Sequence, residues 1–328
     1  MKKTDEGSAA AVIWGILAGV TWALGTVTLG YVLAMAPFVS TAQALFLAPF
    51  VSTFLHDGCS AVWMLLFNGV RGELPKVGKA LRTRSGRFVA VAGLIGGPVG
   101  MTGYMLAVNN MGASVGAVAS AIFPAIGAIL AHIFLKERMQ WYRWIFLLCT
   151  LAGVFGISAG GSVEIKNVGL GLLGVFMCSF GWGIEAVILA KCLTDPAVKD
   201  AYALQIRQTT SALVYGAVLL PILRGWGFTA RLFVRDNLLL FGLIALAALF
   251  STGSYLMYYR AIGRIGPSKA MALDVTYSAW AMILTVVIFR DTSAVTPVSV
   301  LCCAVVLICS VLAAADFREL LPKRKKDG

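Results

Sequence analysis

Long apolar stretches separated by short polar connections set the pattern of this chain. Runs long enough to span a bilayer fall at roughly 11–35, 41–69, 87–109, 112–135 and 141–160, and again at roughly 167–192, 200–223, 237–262, 267–289 and 295–315. About 20 predominantly apolar residues carry a helix across the hydrocarbon core. The pattern therefore predicts an all-α integral membrane fold of ten transmembrane helices in two sets of five. The first run is too long and continuous for a cleaved leader, so its start is read as the start of the protein.

The two sets are related. Sliding residues 104–137 onto 258–291 without a gap superposes Tyr104 on Tyr258, Ala107 on Ala261, Gly112 on Gly266, Phe123 on Tyr277 and Lys136-Glu137 on Arg290-Asp291. A similar shift lays GVTWALG around Trp22 over SFGWGIE around Trp182. Five is an odd number, so equivalent spans face opposite ways. Residues 1–160 and 161–328 then form two inverted repeats, an architecture on which alternating access rests.

Composition agrees. With 59% hydrophobic and 13% charged residues, the chain is far more apolar than a soluble domain. The formal charge of +12 is read as an excess of Lys and Arg in cytoplasmic loops rather than a nucleic-acid surface. Lys2, Lys3, the cluster from Arg71 to Arg87, and Arg318, Lys323, Arg324, Lys325 and Lys326 place both termini in the cytoplasm of a plasma-membrane protein. The seven cysteines lie in or beside apolar spans without metal-ligand spacing and read as packing residues.

Asp57, Glu185 and Asp274 fall deep in spans, where a carboxylate is costly and is by default a functional candidate. Trp182 and Glu185, three apart, share a helical face, and a ring beside a carboxylate suits a bound cation. Asp274, Tyr277 and Trp280 follow at intervals of three and predict a second acid-and-ring face. Trp22 is equivalent to Trp182, and of the adjacent Tyr258 and Tyr259 at most one points into a central cavity. His56 beside Asp57 is a candidate proton relay. Glu185 faces Gly25 in the repeat alignment and is the favoured counter-charge, with Asp274 its rival. The structural alternative is an internal ion pair to Arg207, left within the membrane. His132 reads as an ordinary buried histidine, GGPVG at 96–100 as a break or kink in the third helix, and Pro124 as an interruption of the fourth. No ATP-binding motif accompanies the spans, so a gradient is expected to drive transport.

The FLKER close of the first half and the paired five-helix sets resemble the EamA-type drug/metabolite transporter superfamily. HD in the second span, GGPVGM, VASAIFPAI, GWGIEAV, LQIRQTTS and SYLMYYRAIGRIGPSKAMALDVTYSAW are closer still to LicB-type bacterial choline transporters. That resemblance implies proton-coupled import of choline or a related quaternary ammonium ion. The implied aromatic cage comprises Trp22, Trp182, Tyr258 or Tyr259, Tyr277 and Trp280, with Glu185 and His56 nearby. Phe123 and Asp274 stand where the resemblance leads one to expect tyrosine and asparagine. The expected partners are a small organic cation, protons and the bilayer, without cofactor, metal or nucleic acid. Export of amino acids or drugs is the alternative within the superfamily. A lipid-modifying membrane enzyme is the alternative outside it, suggested only by DGCSA at Asp57.

Overall fold

The computed structural model describes residues 5–159, 165–234 and 237–315. Lys2, Lys3, Arg235, Arg318, Lys323, Arg324, Lys325 and Lys326 lie outside them. The described elements are all helical: α1 (Asp5–Leu33), α2 (Ala42–Val70), α3 (Leu74–Arg82), α4 (Arg84–Leu94), α5 (Met101–Met111), α6 (Ala113–Leu135), α7 (Trp141–Ser158), α8 (Val168–Cys192), α9 (Asp200–Val214), α10 (Leu220–Ile222), α11 (Trp226–Arg231), α12 (Leu238–Ile265), α13 (Pro267–Asp274), α14 (Tyr277–Phe289) and α15 (Pro297–Ala314).

Eight stretches of described residues are long and apolar enough to cross a membrane. Part of α6, Ala119–Leu135, is apolar but shorter. The stretch from α9 to α10 falls outside the eight, and its polarity is internal: Gln205, Arg207, Gln208 and Ser211 are all buried. Those side chains face protein, where backbone and polar groups at membrane depth find partners.

Local chemistry starts and stops the helices. Thr41, Thr83 and Asn167 accept from backbone amides at the starts of α2, α4 and α8, and Thr296 with Ser299 forms a capping box on α15. Gly112 and Gly266 separate α5 from α6 and α12 from α13 at φ of 93° and 89°, a region open to glycine at little cost. Lys136 and Arg290 end α6 and α14 in the left-handed region, each at φ 55°. These two pairs are the ones superposed by the repeat alignment.

Packing has the same pairing. α1 lies against α12 and α5 against α8; α1 also meets α13 and α14, while α8 meets α6. α4 packs on α9 as α2 packs on α12, and α2 meets α9 and α7 meets α15. Each contact has its counterpart when the two halves are exchanged.

The break or kink expected at GGPVG takes the form of a π-helical turn, Ile95–Gly100, which joins α4 to α5 in one span and absorbs the amide that Pro98 lacks. Two expectations change. Pro124 lies inside an uninterrupted α6. Asp274 and Tyr277 do not share a continuous helix, because α13 ends at Asp274 and α14 begins at Tyr277.

Candidate functional site

The deep polar residues converge on Arg207 of α9. Its Nε donates to Glu185 Oε1 of α8 at 2.8 Å, and its Nη1 donates to Gln208 Oε1 at 2.8 Å and to Asp57 Oδ2 of α2 at 3.4 Å. Ser211 Oγ donates to the same Asp57 oxygen at 2.5 Å. His56 Nδ1 lies 3.0 Å from Asp57 Oδ1, which puts a proton on that nitrogen facing the carboxylate. Arg207 is 3% exposed, so this is an interior ion network rather than a solvated one. The ion-pair alternative thus describes Asp57 and Glu185, and Glu185 already has a cation of its own.

Glycines let the network close. A methyl group at Gly96 would fall on the Glu185 carboxylate, one at Gly97 on the Ser211 hydroxyl, and one at Gly93 within 2.9 Å of the Arg207 carbonyl oxygen. The π turn thus presents a bare backbone to α8 and α9. Trp182 Nε1 uses it too, donating to the Gly96 carbonyl at 2.9 Å.

Gly96→Ala is therefore expected to destabilise the protein. Alanine gains up to about 1 kcal/mol in helix propensity, but overpacking costs about 1–3 kcal/mol and separates Glu185 from Arg207. A methyl at Gly253 of α12 would meet nothing within 4 Å. Thermal unfolding in one detergent should give a lowered midpoint for Gly96→Ala and an unchanged or raised one for Gly253→Ala; equal midpoints would refute the close approach.

Rings flank the network. Trp22 meets Tyr255 edge-on at 5.1 Å between centroids and the His56 ring at 6.5 Å. Tyr259 lies 6.0 Å from Tyr255 and 6.2 Å from Tyr258. The Arg207 guanidinium sits 4.9 Å from the Tyr255 ring centroid. On the other side, Trp182 stacks on Tyr104 at 6.2 Å and takes Phe123 edge-on at 5.9 Å. Tyr277 and Ser120 are hydrogen-bonded, hydroxyl to hydroxyl, at 2.9 Å.

Asp274 is different from the other two acids. It lies within electrostatic reach of Tyr255, Tyr258 and Tyr277. Among the described residues its half-buried carboxylate has neither a hydrogen-bond donor nor a cationic partner.

Trp22, His56, Asp57, Trp182, Glu185, Arg207, Tyr258, Tyr259, Asp274 and Tyr277 are thus linked through shared neighbours. Trp280 forms no ring pair among the described residues, and its indole N–H is buried without an acceptor there. Both tyrosines of the 258–259 doublet are buried. His132 is exposed, not buried, and bonds the Glu137 carbonyl through Nδ1 at 2.9 Å. Tyr255 and Tyr104 are site residues the sequence reading missed. Tyr255 is four before Tyr259, hence on its helical face, and Tyr104 is the repeat partner of Tyr258.

Spanning helices around a buried, charged and ring-lined centre define a polytopic membrane protein of the transporter class. Residues 9–159 match the EamA-like transporter family. Protein LicB of Haemophilus influenzae is 28% identical over 204 residues, 62% of this chain and 67% of LicB. The uncharacterized transporter YyaM of Bacillus subtilis is 26% identical over 250 residues, 73% of this chain and 79% of YyaM. One crystal structure, 18% identical, covers 96% of this chain and is itself covered to 99%, with a TM-score of 0.66, a likeness of fold. The EamA-like domain of residues 9–159 and the likeness to LicB and YyaM support a member of the drug/metabolite transporter superfamily.

Proposed function

We propose that this transporter imports choline or a related quaternary ammonium ion together with protons, by alternating access of two inverted five-helix repeats, residues 1–160 and 161–328. Its ten spans lie in the plasma membrane with both termini in the cytoplasm. The exchange-symmetric packing, the paired glycine and left-handed helix ends, and the basic loops support that architecture.

One observation carries the substrate class: among the described residues, Asp274 is a carboxylate among tyrosines without a cation of its own. A quaternary ammonium ion offers charge but no hydrogen-bond donor, so ring faces and one unshared carboxylate are its natural lining. Each well-placed ring contributes about 0.5–2 kcal/mol. Tyr255, Tyr258, Tyr259, Tyr277, Trp22 and Trp182 supply the rings and Asp274 the counter-charge, while Trp280 is left to packing.

Charge counting supports coupling. Arg207 against Asp57 and Glu185 leaves one negative charge in excess when His56 is neutral. A proton on His56 or on a carboxylate removes it. Asp274, when ionised, carries a second excess negative charge. Two separate deficits let a proton and an organic cation bind together, as symport requires; a single shared deficit would make them compete. Arg207 is also unsuited to an amino-acid carboxylate, since Glu185, Asp57 and Gln208 already occupy it.

Proteoliposomes loaded with buffer and given labelled choline test the reading. An inward proton gradient should drive accumulation above the level reached without one. No binding or accumulation of choline would remove the substrate, and accumulation unaffected by the gradient would remove the coupling.

A further inference from the structure

We propose that Arg82, Arg84 and Arg87 form a headgroup site for an anionic phospholipid on the outer face of α4. The three arginines with Phe88 and Val91 line a shallow open cavity of about 280 Å³. Among the described residues, no carboxylate lies within ion-pair distance of any of the three guanidiniums. Asp195, held by Ser85 and the Ala197 amide, borders the patch with one opposing charge.

The polarity of the face changes along the helix. Residues 84, 87, 88, 91 and 94 form its exposed stripe, opposite the buried Gly86, Val89, Ala92 and Gly93. The stripe starts with two arginines and continues as Phe88, Val91 and Leu94, which are 44%, 46% and 40% exposed. At about 1.5 Å per residue, it passes from headgroup depth into the acyl region within three turns. The Arg84 guanidinium lies 5.7 Å from the Phe88 ring centroid, joining the charged end to the apolar one. Lys79 stands three residues before Arg82 in the last turn of α3.

A soluble phosphate compound would satisfy the arginines but leave Phe88 and Val91 unused. A protein partner would need to enter the bilayer to cover Val91 and Leu94. A phosphodiester headgroup with its acyl chains along α4 meets both requirements, because planar guanidiniums match phosphate oxygens.

The test is the full-length protein in neutral detergent, titrated with phosphatidylglycerol or phosphatidylcholine and read by native mass spectrometry and thermal unfolding. Phosphatidylglycerol should bind more tightly and raise the unfolding midpoint. In Arg82→Gln/Arg84→Gln/Arg87→Gln its binding should weaken by about tenfold or more, while phosphatidylcholine binding is unchanged. Should that variant not fold, the wild-type preference must still shrink as salt is raised. A wild type without preference, a variant that keeps it, or equal protection by inorganic phosphate overturns the assignment.

Discussion

Arg207→Met is expected to be the most destabilising single change in the molecule. Methionine matches the stem of arginine but leaves Asp57 and Glu185 ionised, buried and without their shared cation. Removing one member of a buried ion pair costs about 3–5 kcal/mol, because the partner charge stays behind. The Tyr255 ring also loses the guanidinium against it. Arg207→Lys should recover only part of the loss, since one ammonium cannot bond Glu185, Gln208 and Asp57 along a planar fork. Adding Asp57→Asn and Glu185→Gln to Arg207→Met should restore more, because no buried charge is then left unpaired. Yield of monodisperse protein and the unfolding midpoint in detergent measure all three. If Arg207→Met unfolds at the wild-type midpoint, the ion network does not hold these helices together.

That network marks what the sequence made legible. Asp57, Glu185 and Arg207 stand out in a list of residues because charge is rare inside a spanning helix, and their ion pairing was open as one alternative. Trp22 and Trp182 stood out because the two halves align. The division of labour among the acids was not legible, since it depends on which carboxylate lies within reach of one guanidinium. Gly25 and Glu185, equivalent by alignment, illustrate why. A methyl at Gly25 would fall on the Ser251 hydroxyl of α12, whereas Glu185 is accommodated by Gly96. Large and small have changed sides between the halves, which only the packed helices reveal. Tyr255 was hidden by the doublet after it, and the end of α13 at Asp274 breaks the periodicity that tied Asp274 to Tyr277 and Trp280.

Asp274→Asn should separate substrate binding from folding. Among the described residues the carboxylate has no partner to abandon, and losing an unpaired half-buried charge relieves the cost of its burial. The unfolding midpoint should therefore stay level or rise. Affinity for choline should fall, since a charge pair about 4 Å apart at an effective dielectric of 20 is worth about 4 kcal/mol before desolvation is subtracted. A loss of about five- to a hundred-and-fiftyfold in Kd follows if about one to three of those kcal/mol survive. Glu185→Gln predicts the complementary result: Arg207 and Asp57 then balance each other, the network no longer calls for a proton, and choline binding persists while the response to a proton gradient weakens. Isothermal titration at fixed pH, beside gradient-driven uptake, measures the two effects. If Asp274→Asn binds choline as the wild type does and Glu185→Gln does not, the counter-charge is Glu185, and Arg207 must release it when substrate arrives.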